Sequence, residues 1–297
     1  MLFQCKDLTK ILGEYRLNNV SFSLEKGMVL GLVGVNGCGK TTLLRSILGS
    51  YLLDQNPGEG GELWIEGLHY QKQMKEYKAC MAYVMQDNPY SEFMCPLEIG
   101  ERYGHYYQGF DLEKYKELLK EYEVPGKEIM SNLSKGQTFR VQLAFALSYP
   151  AKLYVLDEPV GNLDVEFRDG FYETVRGLVA KEECSVIISS HLVTELEGIA
   201  DQLLWIGKEK DQGFIRHWGT IDDLKEQYRL LSAEENVEEY LPKEMVVGKK
   251  IQESHKEYML KGDKESFKSL LPVAIPGSLR YPDLQEIMYY VEKESAR

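Results

Sequence analysis

Gly34-Val35-Asn36-Gly37-Cys38-Gly39-Lys40-Thr41-Thr42 fits the pattern G-x-x-x-x-G-K-[ST] of a phosphate-binding P-loop. The apolar run Val29-Leu30-Gly31-Leu32-Val33 before it reads as a buried strand, and Leu43-Leu44-Arg45-Ser46-Ile47-Leu48 after it reads as a helix. Strand, loop and helix in that order are the context the motif requires. Its glycines let successive backbone N–H groups turn inward around a β-phosphate, at the positive end of the helix dipole. Gly34, Asn36, Gly37, Cys38, Gly39 and Thr42 are therefore candidate nucleotide contacts. Lys40 is expected to reach the β- and γ-phosphates, and the Thr41 hydroxyl to ligate Mg²⁺.

Working outward, residues 1 to about 30 alternate polar and apolar in short runs, as in Val20-Ser21-Phe22-Ser23-Leu24, and suggest antiparallel strands. Asn56-Pro57-Gly58-Glu59-Gly60-Gly61 is a break, followed by strand signals at Glu62–Gly67 and Ala82–Met85. From about 96 to 148 the chain reads as helical, with breaks at Gly104, Gly109 and Pro125-Gly126. Leu153–Leu156 and Ser185–Ser189 are near-continuous apolar runs suited to a parallel sheet covered on both faces. The charged helix Val165–Lys181 between them completes a β–α–β crossover. At about residue 231 the character shifts to the acidic stretch Ser232–Glu239, read as a linker or exposed helix. An amphipathic helix is expected after Pro282, with Leu284, Ile287, Met288 and Val291 on one face.

The chain has 297 residues, 43% apolar and 28% charged, enough for one large or two modest domains. A formal charge of −12 disfavours a general nucleic-acid binder, and no nucleic-acid partner is expected. Five scattered cysteines without C-x-x-C spacing suit free thiols in a reducing compartment. The N-terminal residues lack a signal-peptide apolar core, and no stretch is apolar over a membrane-spanning length. A cytoplasmic protein is the expectation.

Leu153-Tyr154-Val155-Leu156-Asp157-Glu158-Pro159 delivers two acids at the carboxyl end of a strand, where open α/β sheets hold ligands. Asp157 fits the acid that holds Mg²⁺, and Glu158 the residue that orients and deprotonates an attacking water. Leu133-Ser134-Lys135-Gly136-Gln137 opens a helix with Ser134 as its N-cap, a second anion-binding terminus. This pentapeptide resembles the LSGGQ signature of ABC-type ATPases, and the family's other motifs occur in order. Gln86 resembles the Q-loop glutamine, Gly161-Asn162-Leu163-Asp164 the D-loop, and Ser189-Ser190-His191 the switch-histidine motif.

The resemblance covers residues 1 to about 230 and implies an α/β fold. It comprises a P-loop, RecA-like, mostly parallel sheet core, an antiparallel β subdomain and an α-helical subdomain at about 88–148. Residues 231–297 would form a small C-terminal α+β accessory region. The implied assembly is a head-to-tail dimer with a second copy or a paralogous ATPase. ATP on one P-loop is then capped by Ser134, Gly136 and Gln137 of the other chain, with Asp164 linking the two sites. His191 senses the γ-phosphate, and Gln86 joins Thr41 and Asp157 at Mg²⁺.

Three positions depart from the family pattern. Lys135 replaces a glycine and is read as a solvated side chain. An aromatic that stacks on adenine is usual; Leu12 holds the expected place, and Tyr15 is the nearest aromatic. Cys38 lies inside the P-loop, and its alkylation is expected to block nucleotide binding by bulk. Among the remaining polar residues, His69, His105, His217 and His255 lack metal-ligand spacing, and the tyrosine-rich stretch Tyr103–Tyr107 is read as packing.

The leading reading is the ATP-hydrolysing subunit of a transporter whose membrane-spanning permease is a separate chain, peripheral on the inner face of the membrane. Tyr90, Phe93 and Met94 are expected to offer the apolar dock. The Ser-Lys-Gly signature and the C-terminal appendage resemble the drug and antimicrobial-peptide exporter branch. The rival is a soluble ABC-type ATPase acting on ribosomes or DNA. It is disfavoured by the single cassette, by the acidic charge, and by the lack of any heptad run between Lys40 and Asp157. A non-hydrolysing regulator is a third reading, against which Lys40, Asp157, Glu158 and His191 all stand intact.

Overall fold

A computed structural model of the protein describes residues 1–297 except 54–55, 160, 162, 181–182, 192, 234–240, 252–254, 264–265, 267–276 and 296–297. Asn162 and the greater part of the acidic stretch Ser232–Glu239 lie outside the described residues. Two compact units are present: Met1–Leu192 with Ile199–Arg216, and Val193–Gly198 with His217–Arg297.

The first unit is built on a mixed sheet. Its parallel part comprises β3 (Val29–Val33), β6 (Met81–Val84), β7 (Leu153–Asp157), β8 (Ser185–Ser189) and β9 (Gln202–Glu209), side by side in the order β9-β3-β8-β7-β6. Every residue of β3, β7 and β8 is buried, as their unbroken apolar sequences require of strands covered on both faces. The parallel register brings the carboxyl ends of β3, β6, β7 and β8 to one edge, so the residues that follow them share that edge. Beyond β9 the sheet continues through β10 (Gln212–Thr220) to β2 (Tyr15–Leu24), β1 (Phe3–Leu12), β4 (Gly60–Ile65) and β5 (Leu68–His69). The pairs β1–β2, β1–β4 and β4–β5 are antiparallel.

Helix α1 (Lys40–Ile47) leaves β3 through the phosphate loop. The expected helical stretch resolves into α3 (Pro96–Tyr103), α4 (Leu112–Glu121) and α5 (Lys135–Leu147), after the short α2 (Met74–Ala79). Phe145 of α5 is the hub of an aromatic cluster: Tyr90, Tyr107, Phe110, Tyr115 and Tyr149 all approach it with ring centroids 4.8–6.0 Å away. Tyr103 packs on Tyr90 in the same cluster, so the packing reading holds for Tyr103 and Tyr107, whereas Tyr106 is 74% exposed.

The second unit has its own antiparallel sheet, in the order β12-β13-β11-β14, formed by β11 (Tyr228–Ala233), β12 (Val246–Ile251), β13 (Lys256–Lys261) and β14 (Gly277–Arg280). The helix Leu284–Ser295 buries Leu284, Ile287, Met288 and Val291, the face its periodicity marks. Tyr290 of that helix packs where Gly248 has no side chain and donates to Glu257 at 3.2 Å. Residue 231, taken as a boundary on composition, sits within β11, an interior strand paired on both sides. The compact division instead passes through β10, between Arg216 and His217.

One buried ion pair ties β1 to the turn before β4. Lys10 Nζ lies 2.8 Å from Glu59 Oε1, and their side chains are 4% and 0% exposed. Lys10 also donates to the Leu52 carbonyl, while Glu59 accepts from the Ile11 N–H and from Asn56. Burial alone would raise the Glu59 carboxyl; Lys10, Asn56 and the Ile11 N–H outweigh it and hold the group at about 2. A carboxyl depressed in the folded state stabilises the fold fully above its ordinary value of 4.5, and that contribution disappears as pH falls toward 2. Glu59→Gln is expected to lower stability at neutral pH by on the order of 2 kcal/mol. The variant should also lose the part of the acid sensitivity that lies between those pH values, as checked by chemical denaturation across a pH series.

Candidate nucleotide site

The phosphate loop is shaped by close approaches that exclude side chains. Gly39, the N-cap of α1, has φ +105°, and a Cβ there would lie 2.1 Å from the Tyr15 hydroxyl. A Cβ on Gly34 would lie 2.3 Å from the Ile206 carbonyl of β9. The Tyr15 hydroxyl donates to the Cys38 carbonyl at 2.5 Å, and burial pushes its pKa well up, so it stays a donor. Lys40 is buried, donates to the Gly34 carbonyl at 2.8 Å and lies 3.7 Å from Glu158 Oε1.

At the ends of β7 and β8 a hydrogen-bonded chain holds the acids. Asp157 is 2% exposed, accepts from the Thr41 hydroxyl at 3.2 Å and from the Ser189 hydroxyl at 2.5 Å. Burial raises the Asp157 carboxyl above its ordinary value, against the two hydroxyl donors that lower it. Ser189 accepts in turn from the Glu158 N–H at 2.9 Å, fixing Glu158 in a left-handed conformation with φ +50°. From there the Glu158 carboxylate meets the His191 ring Nδ1 at 2.5 Å and accepts from the His191 backbone N–H at 3.1 Å.

These groups border one cavity of about 750 Å³, lined by Leu12, Tyr15, Asn36, Gly37, Gly39, Lys40, Thr41, Thr42, Gln86, Glu158, Gly161 and His191, together with Lys208 and Asp211. Gly34 and Cys38 frame the loop without lining the cavity, and Asp157 reaches it through Thr41. The Thr41 hydroxyl and the buried Asp157 carboxylate, with the Gln86 amide in the same cavity, are oxygen donors that could hold a hard Mg²⁺ ion. A cation there would also favour the charged form of a carboxylate that burial disfavours.

The signature residues form a different cavity. Ser134, Lys135, Gly136, Gln137, Arg140 and Asp164 enclose about 530 Å³, and none of them lines the first cavity. Ser134 is the N-cap of α5, in a capping box: it accepts from the Gln137 N–H, and Gln137 Oε1 accepts from the Ser134 N–H at 3.0 Å. Lys135 is exposed. Asp164 caps α6 (Val165–Val179) by accepting from the Phe167 N–H at 2.9 Å, and pairs with Arg140. That N–H bond first, then Arg140, hold its carboxyl below the usual range.

Four contributors escape motif reading because their partners are distant in sequence. Arg140 grips Asp164 while lying over the Phe167 ring at 4.2 Å. Gln142 brackets the Met85 backbone, accepting from its N–H at 3.1 Å and donating to its carbonyl at 3.2 Å, next to Gln86. Lys208 and Asp211 enter from the β9–β10 hairpin. Two expectations change. Met94 is buried and Tyr90 is packed within the aromatic cluster, so of the three dock residues only Phe93, at 84% exposure, faces outward. The Cys38 thiol is fully buried in the core of the sheet, not presented to the cavity.

Residues 17–161 match the family model for ABC transporters. The chain belongs to the ABC-type ATPases. It is 28% identical over 230 residues to the ABC transporter ATP-binding protein YtrB of Bacillus subtilis, spanning 76% of this chain and 75% of that protein. It is 30% identical over 215 residues to the Fe(3+) ions import ATP-binding protein FbpC 1 of Haemophilus influenzae, spanning 69% and 62%. The fold is shared with the dimeric ATP-binding cassette MJ0796, solved in a post-hydrolysis state with ADP and Pi, at a TM-score of 0.62 and 22% identity over 74% of this chain and 98% of that one. This ABC-type ATPase is an ATP-binding protein, and the cavity built on the β3–α1 loop is its candidate nucleotide site.

With its thiol inside the core, Cys38 is expected to resist alkylation in the folded protein while the half-buried Cys80 and Cys95 react first. Peptide mass spectrometry with and without denaturant reads this; fast Cys38 labelling without denaturant would contradict it.

Proposed function

We propose that this ABC-type ATPase is the energy-supplying subunit of a membrane transporter, working as a head-to-tail pair with a second copy of itself. The observation that carries the proposal is the chain Asp157–Ser189–Glu158–His191, held at the sheet edge beside Lys40 and Thr41. Phosphoryl transfer to water needs a neutralised phosphate chain and a placed base, and this arrangement supplies both.

Lys40 and the loop N–H groups from Gly37 to Thr42 would hold the β- and γ-phosphates. Thr41, Asp157 and Gln86 would hold Mg²⁺, which supplies charge neutralisation to the phosphates when bound. Glu158 takes the proton of the attacking water as the bond from water to the γ-phosphorus forms and the bond to the ADP oxygen breaks. His191 orients that carboxylate and senses the γ-phosphate. Tyr15 offers its ring to adenine while its hydroxyl anchors the loop.

Ser134, Gly136 and Gln137 would complete the site of the partner, since in this chain they border a cavity apart from the P-loop. Closure of the pair excludes water from ATP, and hydrolysis reopens it. The unit Met1–Leu192 with Ile199–Arg216 is assigned as the nucleotide-binding domain, and the other unit as an accessory region. Phe93 is assigned to the surface that meets a permease chain, which would hold the protein against the inner face of the membrane. Among the described residues no helix is long and apolar enough to cross a membrane, and this reading assigns the membrane-spanning part to a separate permease. Export is the direction supported by the Ser134-Lys135-Gly136 signature and the appended C-terminal unit; FbpC 1 is named for import, so transport in reconstituted vesicles decides the direction.

Glu158→Gln is expected to keep ATP binding, to lose hydrolysis by at least two orders of magnitude, on the scale of a lost catalytic base, and to accumulate as an ATP-locked dimer. Turnover assays with size-exclusion chromatography in ATP check this, and near-normal hydrolysis by the variant would remove Glu158 from the base role.

A further inference from the structure

We infer that Lys208 is a second cation offered by this protein to the diphosphate portion of its nucleotide, in addition to Lys40; the inference rests on the cavity being the ATP site. Lys208 lies near the end of β9, and that strand is laid against the phosphate loop at two points. A Cβ on Gly34 would stand 2.3 Å from the Ile206 carbonyl, and a Cβ on Gly37 would stand 3.3 Å from Lys208 Nζ. The returning strand β10 is as closely fitted: a Cβ on Gly213 would lie 2.2 Å from the Tyr15 hydroxyl and 2.3 Å from the Cys38 carbonyl. The hairpin that carries Lys208 is therefore closely fitted against the loop, and the ammonium lies beside Gly37.

The charge at this end of the cavity is available to a ligand. Lys208 is half-buried and borders the cavity that Lys40, Thr41 and Tyr15 also line. Among the described residues no carboxylate pairs with it, although Asp211 lines the same cavity. An ammonium is a compact point charge suited to a phosphate oxygen, and its attraction is strengthened where water is partly excluded. Glu158 and His191, which pair with each other, address the terminal phosphate, whereas Lys208 stands at Gly37, in the part of the loop that turns around the β-phosphate. Its effect should consequently be felt by ADP as much as by ATP. A solvated lysine on a hairpin tip would instead leave both nucleotides indifferent to its removal.

The test is equilibrium binding of ADP and of ATP to the full chain, for the wild type, Lys208→Gln and Lys208→Arg, at low and high salt. Lys208→Gln is expected to weaken both nucleotides by a similar factor, roughly tenfold, with a shallower salt dependence, as for loss of one charge-assisted phosphate contact. Lys208→Arg should remain near the wild type, and thermal unfolding should place both variants with it. Unchanged ADP affinity in Lys208→Gln overturns the inference, as does a loss confined to ATP or an equal loss in a folded Lys208→Arg. A wild type that binds neither nucleotide would instead remove the ATP-site reading and this inference with it.

Discussion

The phosphate loop is clamped between two neighbours that leave no room for side chains at Gly34 and Gly39. The Tyr15 hydroxyl presses on Gly39 and bonds the Cys38 carbonyl, while the Ile206 carbonyl of β9 presses on Gly34. Backbone N–H groups can point at a phosphate only if the loop holds a left-handed turn, and Gly39 at φ +105° supplies it at the start of α1. Everything functional is then placed by register. Because β3, β7 and β8 run parallel and end together, Thr41, Asp157 and Ser189 come within hydrogen-bonding reach. Ser189 joins the two acids, so that Glu158 is set by the same hydroxyl that holds Asp157.

Within one chain this produces an open site. The cavity above the P-loop is wide, and the helix terminus capped by Ser134 faces a different cavity. Electrostatic stabilisation of a phosphoryl transfer gains from exclusion of water, so an open cavity with a separate anion-binding terminus makes physical sense when a second copy brings its terminus over the first. The internal wiring agrees with coupling between these regions. Gln142 of the signature helix grips the backbone beside Gln86, and Arg140 of the same helix grips the D-loop residue Asp164. A displacement of α5 would be felt at both.

The local chemistry was legible in the sequence. A glycine-rich loop between an apolar strand and a helix, two acids closing an apolar strand, and Ser134 three residues before Gln137 each carry their own physical mechanism. What the sequence did not disclose depends on contacts between residues far apart. Ser189 as the link between Asp157 and Glu158, Gln142 under Met85, and Lys208 beside Gly37 have no local signature. The boundary near 231 was set on an acidic composition, yet strand pairing draws Tyr228–Ala233 into the interior of the small sheet. From sequence Tyr90 and Met94 fit a dock and ordinary core about equally, because a lone apolar side chain has no direction until packing supplies one; Tyr90 packs on Phe145 and Met94 is buried.

Completion of each ATP site by a second copy is the central claim, and mixing two inactive variants tests it most directly. Lys40→Ala removes the P-loop cation, and Ser134→Arg obstructs the signature terminus, so each variant alone should be inactive. In an equimolar mixture, the intact P-loop of one copy faces the intact signature of the other, and ATP hydrolysis is expected to reappear. A mixture no more active than the sum of its two components would contradict the account.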